Sequence, residues 1–101
     1  MQPADISRLA SQLDGVTERH QDGLLCWRYH GRLVARQLDD THVAIRSSFD
    51  ARDVLLRSFP ETFTVPFRFT THMMIVADLQ HGDGDAIERA VISAWELQAW
   101  S

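Results

Sequence analysis

Two strand-like runs, Leu24-Leu25-Cys26-Trp27-Arg28-Tyr29 and Arg32-Leu33-Val34-Ala35-Arg36-Gln37-Leu38, are separated by only His30-Gly31. A two-residue connection ending in glycine signals a hairpin, because the tight primed turns need positive φ. The middle of the chain is thereby committed to antiparallel pairing. Simple alternation places Tyr29 opposite Arg32 and Trp27 opposite Val34 on one face. Asp39-Asp40-Thr41 reads as a second polar turn. It leads into a third strand, His42-Val43-Ala44-Ile45-Arg46, with Val43 and Ile45 inward.

Helical spacing brackets this sheet. Pro3 suits a first helical turn, and Ile6, Leu9, Ala10 and Leu13 follow the i, i+3, i+4, i+7 rule. Gly15 stands where a left-handed C-cap is wanted, so the spacing predicts a helix over about 3–14. Asp50 reads as an N-cap, with Asp53 at N3 and Phe49 stapled to Val54, for a helix over about 50–59 that Pro60 ends. Phe63 to Thr70 alternates with a period of two. Pro66 removes a ladder donor there, which predicts an edge strand or an irregular extended run. Met73-Met74-Ile75-Val76-Ala77 reads as a more buried strand. After a turn at His81-Gly82-Asp83-Gly84, Asp85 and Glu88 read as a capping box for a helix over about 85–99. Ile87, Ala90, Val91, Ala94, Trp95 and Leu97 form its core stripe, with Ile92 and Trp100 outside it. The expected order is α-β-β-β-α-β-β-α. That predicts an α+β fold, an antiparallel meander packed against N- and C-terminal helices with a middle helix.

A chain of 101 residues has room for one domain, 1–101. Its apolar and charged fractions, 45% and 24%, match an ordinary globular core. One cysteine excludes an internal disulfide, and no apolar stretch is long enough to span a membrane. The expectation is a cytoplasmic protein without a membrane partner. All ten basic residues are arginine, and the net charge is −4. The acidity is concentrated late. Residues 78–101 carry one Arg against five acids, whereas residues 16–68 carry eight Arg against seven.

Three segments resemble the MmcQ/YjbR-like family of small bacterial domains. Leu13-Asp14-Gly15-Val16-Thr17-Glu18 is similar to that family's Leu-Pro-Gly-Val-Thr-Glu helix exit. Trp27-Arg28-Tyr29-His30-Gly31-Arg32-Leu33-Val34-Ala35 resembles its aromatic-x-Val-x-Gly-Lys-x-Phe-Ala hairpin, and Ala94-Trp95-Glu96-Leu97 its last helix. Asp14 replaces the usual Pro, Gly23-Leu24-Leu25 replaces a Pro-Ser segment, and Met73 or Met74 stands where a Trp is common. The resemblance implies a double-wing α+β fold, for which DNA binding has been proposed on shape. It carries over no catalytic residue.

No catalytic or metal-ligand spacing is evident. His20, His30, His42, His72 and His81 are scattered singly, with no paired-cysteine or HExxH pattern. Neither a metal nor a cofactor is expected, and the chain does not read as an enzyme. Cys26, between Leu25 and Trp27, reads as a buried strand residue. The Asp39-Asp40 and Asp83/Asp85 pairs read as turn and cap residues. Phe63, Phe67 and Phe69 read first as core and second as surfaces for base stacking. Two functional readings result. Arg28, Arg32, Arg36 and Arg46, on or beside the hairpin and third strand, are candidate DNA phosphate contacts. Alternatively, Ile92 and Trp100 mark an interaction surface for a homodimer or another protein partner.

Overall fold

The computed structural model describes residues 1–100. Helix α1 spans Pro3–Ala10, strands β1 to β4 span Val16–Gln21, Leu24–Tyr29, Arg32–Gln37 and His42–Arg46, and helix α2 spans Phe49–Ser58. Strand β5 (Phe63–Thr64), a 3-10 turn (Phe67–Phe69), strand β6 (Met74–Asp78) and helix α3 (Gly84–Ala99) complete the chain. All six strands pair antiparallel in the order β1-β2-β3-β4-β6-β5. The α+β architecture is as expected, with one strand more.

That strand, β1, carries a single apolar residue, Val16, so hydrophobic alternation could not reveal it. The signal that could have done so is Asp22-Gly23, with φ of 54° and 78°, which connects β1 to β2. Asp-Gly suits the primed two-residue turn. The expected turn at His30-Gly31 has the same left-handed pair, at 47° and 83°.

Between β2 and β3 the alternation breaks. Tyr29 faces Arg32 and Arg28 faces Leu33, but Trp27 faces Ala35 rather than Val34, across a bulge. Val34 is the extra residue, and both Val34 and Ala35 turn into the core beneath the helices. Every later residue of β3 therefore changes face relative to strict alternation. Arg36 comes to lie opposite Cys26.

The three helices cover one face. Ile6 and Ala10 of α1, Leu55, Leu56 and Phe59 of α2, and Ile87, Ala90, Val91 and Ala94 of α3 pack on Trp27, Ala35, Val43, Ile45, Phe63, Ile75 and Ala77. The opposite face is covered only in part. There Phe69 of the 3-10 turn closes a small cluster with Ala44, Met74 and Val76.

Helix ends differ from expectation. Helix α1 stops at Ala10 because the next amides bond three residues back (Gln12 to Leu9, Leu13 to Ala10), turning the chain toward β1. Gly15 is left-handed, and a Cβ there would stand 2.6 Å from the Tyr29 ring. Ser48, not Asp50, caps α2, its Oγ accepting from the Ala51 amide at 3.1 Å. Phe49 and Val54 remain exposed rather than forming a buried staple. Asp83, not Asp85, caps α3, accepting from the Ala86 amide at 3.1 Å. The Phe63–Thr70 run forms two strand residues and then the 3-10 turn, so Phe63 and Phe69 are buried while Phe67 is 94% exposed.

Candidate nucleic-acid interface

Antiparallel register decides which side chains share a face. Residues paired across strands point the same way, so Arg19, Cys26, Arg36, Ala44 and Val76 form one row across the sheet. Ala44 and Val76 belong to the cluster under the 3-10 turn, which places this row on the face away from the helices. The neighbouring row holds Thr17, Arg28 and Leu33. Arg46 lies opposite Met74, its Nη1 3.8 Å from the Met74 sulfur.

Of the four arginines singled out above, three therefore share the open face: Arg28, Arg36 and Arg46. Arg32 does not join them. It lies opposite Tyr29, which packs on the helix-side core, and its Nη1 donates to the Gln98 carbonyl of α3 at 2.9 Å. Gln98 in turn donates to the Leu33 carbonyl at 2.7 Å, so Arg32 helps fasten the last helix to the sheet. Arg19 takes its place on the open face, and it went unseen in the sequence because β1 did.

None of Arg19, Arg28, Arg36, Arg46 and Arg68 has a carboxylate within 4.0 Å among the described residues. Arg28 donates to the Gly31 carbonyl at 3.2 Å, across its own hairpin turn. The Arg36 and Arg68 guanidiniums lie 5.7 and 4.8 Å from the centre of the Phe69 ring. Cation–π contact keeps both near the ring without neutralising them. Cys26 is half-buried on this face, outside both apolar clusters, so it is not the core residue expected. A depression of about 290 Å³ is lined there by Gln21, Leu24, Cys26, Arg28, Arg36 and Gln37, among others.

The segment carrying Phe67 is held from beneath by Arg52 of α2. Its Nη1 donates to the carbonyls of Phe69 (3.2 Å) and His72 (2.8 Å), and its Nη2 to that of Thr70 (3.1 Å). Its Nε is buried without a partner among the described residues, and its guanidinium lies 4.8 Å from the centre of the Phe49 ring. The turn also closes on itself, through Phe69 N–H to Pro66 O at 2.8 Å and Thr70 Oγ1 to Phe67 O at 2.8 Å.

The acidic residues lie mostly elsewhere. Asp5, Asp85, Glu88 and Glu96 are on α1 and α3, and Glu18 faces the helix side, accepting from Trp27 Nε1 at 2.7 Å. The exceptions include Asp22, which lines the depression beside Cys26 with Arg28 and Arg36, and Asp39 and Asp78, which bound the basic area at one end of the sheet. Asp39 accepts from the Thr41 amide and pairs with His42 at 3.0 Å, and both contacts hold its carboxyl below the usual range. Asp78 is lowered likewise, first by the His81 amide and then by the His81 ring at 3.1 Å.

The second candidate surface is divided. Trp100 is 76% exposed and borders an apolar groove of about 370 Å³ between α2 and α3, with Ala51, Ser93 and Leu97. Ile92 is half-buried and does not line that groove. Among the described residues no three His, Cys, Asp or Glu side chains gather as a metal-binding group. No described helix is long and apolar enough to cross a membrane. Comparison with protein-family models, curated proteins and solved structures finds no match to this chain.

Proposed function

We propose that this is a non-enzymatic nucleic-acid-binding domain whose open sheet face receives the phosphodiester backbone of DNA. The observation that carries this reading is the gathering of Arg19, Arg28, Arg36 and Arg46 on the face away from α1, α2 and α3, with no carboxylate within 4.0 Å among the described residues. Phosphate neutralisation by arginine is the main source of such affinity, and it depends on local charge rather than on the net charge of −4. The resemblance to the MmcQ/YjbR-like family, with its double-wing fold and proposed DNA binding, supports the same reading.

Salt titration tests it. With four phosphates neutralised, log K against log salt falls with a slope of about −3.6 on a duplex or about −2.8 on a single strand. Replacing Arg19 and Arg36 by Ala reduces the slope by about half, while Arg32→Ala leaves it unchanged. Bound oligonucleotide also slows alkylation of Cys26, which lies between Arg19 and Arg36. Absence of binding at low salt, or binding indifferent to Arg19→Ala/Arg36→Ala, overturns the reading.

Trp100 beside its groove favours a second reading, a homodimerisation module. A tryptophan left this exposed at a helix end is costly in water and is a common anchor of protein contacts.

A further inference from the structure

We infer that the strand bound by this face is single-stranded and that one of its bases stacks on Phe67. The inference rests on the reading of the open face as a phosphate-binding surface and adds the form of the ligand. Phe67 is 94% exposed, on a turn that is far from loose. Pro66 precedes it, three hydrogen bonds close the turn, and Arg52 holds the carbonyls of Phe69, Thr70 and His72. An aromatic ring presented to water on a braced backbone loses little conformational freedom on binding, which is what a stacking platform needs.

The turn is also joined to the arginine face. Phe69, two residues on, packs against Ala44, Met74 and Val76, with the Arg36 and Arg68 guanidiniums near its ring. A backbone lying along Arg19 and Arg36 thus runs toward the segment that displays Phe67. A duplex keeps the faces of its bases stacked inside, so Phe67 would meet only sugar and phosphate. The helices lie on the other side of the sheet, so this face offers no helix to a major groove. A single strand offers the unstacked bases that an exposed phenyl ring receives.

The test is fluorescence anisotropy of labelled oligonucleotides of about 12 nucleotides: single-stranded DNA, single-stranded RNA of the same sequence, and the DNA duplex. The expected result is tighter binding of at least one single strand than of the duplex. Phe67→Ala then weakens single-strand binding about 5- to 150-fold, the loss of one stacked base, without changing the salt slope. Phe67→Tyr retains binding. Circular dichroism confirms that the variants fold, as expected for so exposed a position. Duplex bound as tightly as either single strand, or Phe67→Ala binding like the parent, overturns this inference. The phosphate-binding reading then survives, provided that Arg19→Ala/Arg36→Ala still lowers affinity. Failure to bind any of the three oligonucleotides overturns both.

Discussion

Arg52 is one of two arginines on α2, and nothing in the flanking sequence marks it out from Arg57. Its partners lie 17 to 22 residues further along, in the segment between the 3-10 turn and β6. It supplies one planar cation to several backbone carbonyls, two of which, those of Phe69 and His72, also accept an amide of their own segment. Arg52→Ala is expected to lower unfolding free energy by about 2 kcal/mol, as several carbonyls of one segment lose a charged donor. Arg52→Lys recovers only part of this, because an ammonium lacks the planar fork. Urea denaturation of the three proteins measures it; equal midpoints for the parent and Arg52→Ala would refute the role. At this scale the sequence names the residue types, and the partners come from the fold.

Helices and strands were legible wherever hydrophobic periodicity is strong, and their ends were legible wherever the cap is unambiguous. The α3 stripe from Ile87 through Ala94 is buried as its spacing requires. Its start was misplaced because Asp83 and Asp85 are equally good caps in isolation. The Thr62 hydroxyl accepts from the Asp83 amide at 2.9 Å and places that residue at the helix entrance. Asp83→Ala should therefore cost about 1 kcal/mol, and Asp85→Ala only a few tenths through the helix dipole. Thermal unfolding of the pair decides between them, and the opposite order would return the cap to Asp85. The bulge at Val34 has the larger consequence. Under strict alternation Arg32 and Arg36 would share the helix side, away from Arg28. The bulge separates them and moves Arg36 to the open face.

Over the whole molecule, the arginines of the open face and the acids of α1 and α3 sit on opposite sides of one sheet, so a net charge of −4 conceals a basic surface. The α2–α3 groove lies in the helix layer but is lined by Arg46 as well, so self-association through Trp100 stays clear of Arg19, Arg28 and Arg36 only. If Trp100 anchors a homodimer, light scattering at high concentration gives twice the monomer mass, and Trp100→Ala returns it to the monomer. A monomer throughout, with water-like Trp100 emission, ends that reading. By itself the sequence determined the α+β class, the hairpin at His30-Gly31 and the helical stripes, because these follow from short-range periodicity and turn chemistry. Only the tertiary structure decided that Arg19 joins Arg36, that Arg32 turns to α3, and that Phe67 faces water. The pairing of β1 and the extra residue in β3 bring Arg19 and Arg36 together, and neither leaves a periodic trace in the chain; the Gln98 carbonyl holds Arg32, and the 3-10 turn after Pro66 exposes Phe67. The β2–β3 hairpin is thus where the two levels meet: local chemistry dictates its turn, and packing of Val34 and Ala35 together beneath the helices dictates which arginines it displays.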